Sequence, residues 1–135
     1  MSLWRVDTAH WPQVVYWVDE AATEADVDAF IAAANEVLQR REPYVAILDA
    51  SQLKRASPPL RQKAVEWQKA HRNELAAHCL GTAFVLSSPI MRFITMTVLL
   101  LTDLPTPWRV CASVEDAMGW GRELLAKRSG TGTGP

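Results

Sequence analysis

The sequence predicts a single α/β domain in which an antiparallel opening hairpin leads into a mostly parallel sheet covered by four helices. Three observations predict it. Two short runs rich in β-branched and aromatic residues flank Pro12. Three later apolar runs, YVAILD, TAFVL and WRVCA, each have the length of a strand and are each followed by residues at helical spacing. The connections are short, and strand–helix alternation of this kind gives right-handed crossovers and a parallel sheet. The expected order is ββαβαβαβα.

Each element has its own signature. Residues 3–8 alternate loosely, Ala9-His10-Trp11-Pro12 breaks the pattern, and VVYWV at 14–18 resumes it, so Pro12 marks a hairpin turn. Thr23 is the expected N-cap of a first helix over 24–40, with Asp26 in the place of the capping-box acid. Val27, Phe30, Ile31, Ala34, Val37 and Leu38 then form one apolar stripe, opposite Asp28, Asn35, Glu36 and Gln39. YVAILD at 44–49 has the continuous apolarity of a central strand covered on both faces.

After a connection over 50–57, Pro58-Pro59 opens a second helix, because the first turn tolerates a missing N–H. Its stripe is Leu60, Ala64, Trp67, His71, Leu75 and His78, it is expected to run to residue 79, and Gly81 is expected to stop it. A strand over 82–86 follows, then Ser87-Ser88-Pro89 capping a third helix over 90–102. Residues 108–112 form the last strand, and Ser113 with Asp116 caps the last helix, 114–127. Its inward residues are Val114, Ala117, Met118, Gly121, Leu124 and Leu125. The domain is expected to span 1–128, with SGTGTGP at 129–135 as a disordered tail.

The 135 residues suffice for one well-formed core, and 49% hydrophobic with 21% charged residues is ordinary for a globular chain. A net charge of −1 creates no basic field, so nucleic acid is not an expected partner. The longest apolar stretch, 90–101, is interrupted by Arg92, Thr95 and Thr97 and falls short of the ~20 residues of a membrane span. No apolar segment of signal-peptide length opens the chain, and a cytoplasmic location is expected. Cys79 and Cys111, without CxxC spacing, read as two buried thiols.

The usual catalytic signatures are missing. The turn after the second strand, Asp19-Glu20-Ala21-Ala22-Thr23, is acidic and has no glycine to let a pyrophosphate approach. Ser51, Ser57, Ser87 and Ser88 follow strands, but none sits in a Gly-x-Ser-x-Gly elbow. His71 and His78 lie seven residues apart, about 10.5 Å along a helix, too far to share a metal. No catalytic residue, cofactor or metal is expected. The acidic residues at the start of the first helix suit its dipole. The basic group Lys54, Arg55, Arg61 and Lys63 reads as a solvated helix entry.

The third helix is different, because apolar residues point in nearly every direction from it. A helix apolar all round is either buried on both sides, here beneath tryptophans, or is an interface. We take it as an interface formed by Met91, Phe93, Ile94, Met96, Thr97, Leu100 and Leu101. The methionines suit an adaptable contact.

With this order in place, the chain over about 3–125 resembles the STAS/SpoIIAA-like group of anti-sigma-factor antagonists and their SEC14-type relatives. VAILDASQLKRAS at 45–57 looks like the STAS central strand and switch region, with Asp49, Ser51 and Leu53 at matching spacing. The D-S-S-G-L switch motif itself is absent, and its serine position falls on Pro58, beside Ser57. The resemblance implies a non-enzymatic regulatory domain that binds a protein partner or forms a homodimer, with Ser57 and Arg61 as switch-like positions. Its SEC14 side implies an alternative, a carrier of a small lipid or other apolar ligand. That pocket would lie between the third helix and the sheet, lined by Trp67, Phe84, Phe93 and Trp108.

Overall fold

In the computed structural model the chain is described over residues 4–18, 24–51 and 58–133, with side chains over 5–17, 25–51 and 62–127. The strands are β1 (Trp4–Asp7), β2 (Gln13–Val18), β3 (Tyr44–Asp49), β4 (Cys79–Val85) and β5 (Trp108–Cys111). The helices are α1 (Glu24–Gln39), α2 (Pro58–Ala70), α3 (Arg72–His78), α4 (Pro89–Leu101) and α5 (Val114–Thr133). The strands form one sheet in the order β1-β2-β3-β4-β5, antiparallel between β1 and β2 and parallel thereafter. The expected mixed α/β sheet with an antiparallel opening hairpin is therefore present.

Because strand order equals chain order, each crossover advances one strand in the same direction. Crossovers of one hand then stack their helices on one face of the sheet. That face carries Val14, Tyr16, Tyr44 and Cys79, packed against Ala34, Val37 and Leu38 of α1 and Leu75 of α3. The other face carries Val15, Val45, Ile47, Ala83 and Val85, packed against Ala117 and its neighbours on α5. Successive residues of a strand point to opposite faces, so a strand covered on both sides needs apolar residues throughout. This is why YVAILD has no polar alternation. Ile47, Val14, Val15, Val45 and Val85 are the largest fully buried side chains, each worth about 1.5–3 kcal/mol on burial.

The second helix differs from the expected one. It breaks at His71 (φ −113°, ψ 24°) into α2 and α3, a bend that hands the chain directly to β4 at Cys79. The apolar spacing continues through the break, so periodicity does not reveal it. Gly81 does not stop a helix; it lies within β4, and no glycine among the described residues has positive φ. Its role is steric. A Cβ there would stand 2.6 Å from Leu124 Cδ1 and 2.9 Å from Trp120 Cη2 of α5. On α5 itself, a Cβ at Gly121 would meet Gln13 Cδ at 2.9 Å and Val45 Cγ1 at 3.3 Å. Two glycines thus let α5 lie close against the sheet.

Part of the polar face of α1 is spent on α2 rather than on water. Asn35 Oδ1 accepts from Trp67 Nε1 at 2.7 Å, and Asp28 pairs with Lys63 at 2.8 Å. The expected N-cap Thr23 lies outside the described residues. Backbone helix in α5 continues to Thr133, into the stretch expected to be a disordered tail; extending an existing helix needs no new nucleus.

Candidate functional site

Helix α4 connects β4 to β5 and packs chiefly on β5, a strand of four residues at the end of the sheet. Among the described residues no strand lies beyond β5, so α4 is the outermost helix of its layer there. Ser88 caps it, accepting from Met91 N at 3.3 Å, and Pro89 occupies the first turn. Leu99 is buried, and Met91, Arg92, Thr95 and Val98 are half-buried on the same inward side.

The outward side is apolar. Ile90 is 70% exposed, Phe93 71%, Ile94 43%, Met96 43%, Leu100 72% and Leu101 86%. Among the described residues, every large hydrophobic side chain of this exposure lies on α4. Thr97 is also exposed, but its hydroxyl is satisfied, donating to Phe93 O at 3.0 Å. The one charge of the helix, Arg92, is turned away from this surface. Its Nη1 donates to Leu86 O at 2.9 Å and Ser87 O at 3.1 Å, closing the end of β4.

Of the seven residues expected at this surface, Phe93, Ile94, Met96, Thr97, Leu100 and Leu101 are brought together on the outer side. Met91 turns inward and is half-buried. Ile90, not among the seven, belongs to the patch; its spacing of three and four from Phe93 and Ile94 was the signal for it. Ser57 lies outside the described residues, as does the side chain of Arg61, whose backbone is part of α2.

The apolar pocket expected between the third helix and the sheet takes a different place. A cavity of about 100 Å³ lies beneath α1 and α2. Trp67 and Phe84 line it; Phe93 and Trp108 do not. Tyr16, Tyr44 and Cys79 share its wall, and burial pushes all three above their ordinary pKa, leaving them neutral at neutral pH. Thr82 and Thr106, also in its lining, hydrogen-bond each other at 3.1 Å.

The remaining candidates stay apart. Cys79 lies on the α1–α3 face and Cys111 on the α5 face; both are free and buried. The His71 ring lies tilted by 31° against Trp67, centroids 5.0 Å apart, and its Nδ1–H donates to Trp67 O at 2.9 Å. Among the described residues no three His, Cys, Asp or Glu side chains gather to hold a metal ion, and no helix is long and apolar enough to cross a membrane. Asp49 Oδ1 accepts from Ser51 N at 3.0 Å, and Ser87 Oγ donates to Ser51 O at 3.0 Å, tying together the loops that follow β3 and β4.

No family model, curated protein or solved structure matches this chain.

Proposed function

We propose that this chain is a non-enzymatic interaction domain of the STAS/SpoIIAA-like kind that self-associates through the outer face of α4. The observation that carries the proposal is the confinement, among the described residues, of the exposed large hydrophobics to that one helix. Ordinary monomers show apolar patches of about 300–600 Å². Six such side chains at 43–86% exposure approach the ~800 Å² that each partner brings to a standard interface.

Two features favour a second copy as the occupant. The face carries no charge, and the hydroxyl within it is already satisfied, so two copies meet without desolvating an ion or leaving a polar group unpaired. A helix face of this kind is self-complementary about a two-fold axis, the commonest symmetry of soluble oligomers. An anionic lipid surface would instead favour a rim of Lys and Arg, which α4 does not carry. The order of elements and the 45–57 segment support the family reading, in which Ser57 and Arg61 serve as switch-like positions.

Light scattering after size exclusion tests this. The wild-type chain is expected as a dimer at micromolar concentration, and Phe93→Glu and Leu100→Glu as monomers with unchanged circular dichroism. Both side chains are exposed, so their replacement leaves fold stability within about 0.5 kcal/mol. A monomeric wild-type chain at ~100 μM would overturn the self-association, because standard-size interfaces hold at micromolar concentration or below.

A further inference from the structure

We propose that the cavity beneath α1 and α2 binds a compact neutral aromatic molecule carrying one hydrogen-bond donor, of the phenol class, with the Gln68 carboxamide oxygen accepting that proton. This site is separate from the α4 surface and does not depend on it.

Size is the first argument, and it acts as an upper limit. An apolar cavity of about 150 Å³ holds benzene, so about 100 Å³ admits nothing larger than a single small ring. An acyl chain needs far more room, which separates this site from a lipid carrier's.

The walls give the second. Phe30 meets Tyr16 edge to face with centroids 4.9 Å apart. Trp67 is fixed from two sides, its Nε1–H held by Asn35 and its ring in tilted contact with His71. Such a frame presents ring faces and edges to an aromatic guest before the guest arrives. Among the described residues no Asp, Glu, Lys or Arg lines the cavity, and Tyr16, Tyr44 and Cys79 are neutral, so the described wall offers nothing to neutralise a charged ligand.

Gln68 supplies the third. Its Oε1 is buried and has no hydrogen-bond partner, one of two such side-chain atoms among the described residues. The other, Gln13 Oε1, lies against Gly121 of α5, in the space that a Cβ there would need. Gln68 instead lines the cavity one helical turn beyond Ala64. An orphaned buried acceptor in a native fold calls for an explanation; a donor on a bound molecule provides one. A water there would find the Gln68 oxygen in mainly apolar surroundings, whereas a stable buried water makes about three hydrogen bonds.

The test titrates phenol and benzene into the full chain and follows the melting temperature and tryptophan fluorescence. Phenol is expected to give a saturable stabilisation, with benzene at least ~fivefold weaker because it leaves the oxygen unpaired. Gln68→Leu is expected to abolish that preference and bind both alike. Ala64→Leu, which fills the cavity from α2, is expected to bind neither while remaining folded. Leu100→Glu is expected to bind phenol as the wild type does, so failure of the α4 proposal and failure of this one are read separately. No saturable shift with either probe, equal affinity for both in the wild type, or unaltered binding in Ala64→Leu would each overturn the assignment.

Discussion

Arg41 shows how much a single backbone angle carries. It follows the last turn of α1 with φ 55°, its N–H donating to Leu38 O at 3.2 Å. That is the left-handed position where a helix usually places glycine, because a Cβ crowds the following carbonyl there. Arg41→Gly is expected to raise stability by about 0.5–1 kcal/mol, the relief of crowding exceeding the added freedom of the unfolded chain. A higher urea midpoint at unchanged slope would register it. Nothing in the residue types announced this site, since QRREPY reads as an ordinary polar connection. Gly81 presented the reverse difficulty: glycine after a helical stretch reads as a stop signal, whereas here it makes room for a helix some forty residues further along. Gln68 was equally silent, because a glutamine on an amphipathic helix is unremarkable until its surroundings are known.

At the scale of elements, the decisive contact is α5 against the sheet. Small residues stand on both sides of it, Gly81 and Ala83 from β4 and Ala117 and Gly121 from α5. Gly81→Ala is expected to destabilise by about 1–3 kcal/mol, because the added methyl meets Leu124 and Trp120. Combined with Leu124→Ala, the loss should be clearly less than the sum of the two single losses, since one change vacates the space that the other fills. Thermal unfolding of the three variants checks this. For α4 the sequence was legible in kind, since a helix with twelve apolar or small residues among thirteen cannot hide them all over one short strand. Which side faces outward depended on Arg92, which looked like an interruption of the stripe and turns out to anchor the inward side through the carbonyls of Leu86 and Ser87.

For the whole molecule, both tyrosines of the chain, Tyr16 and Tyr44, are buried on the same face of the sheet. Desolvation by burial raises the pKa of each above the ordinary tyrosine value of about 10. The unfolded chain releases these protons near pH 10 while the folded chain retains them, so the unfolded state binds fewer protons there and stability falls as pH rises. Alkaline titration is therefore expected to show tyrosinate absorbance appearing together with the loss of circular dichroism, in one transition above pH ~10. Absorbance rising first, in a folded protein, would contradict the burial. At this scale the sequence was most legible: strand runs, helix stripes and short connections led to the layers and the mixed sheet. The bend at His71 and the true start of β4 stayed hidden, because HCLG continues a helical pattern while its backbone is already extended from Cys79.

The sequential strand order also sets a timetable for synthesis. The crossover helices arrive between strands and cover one face as the sheet grows. The opposite face, with Val15, Val45, Ile47, Ala83 and Val85, waits for α5, which leaves the ribosome after every strand has been made. Until then the nascent sheet displays a band of aliphatic side chains to whatever is nearby, and nascent chains in that condition are the ones that chaperones hold.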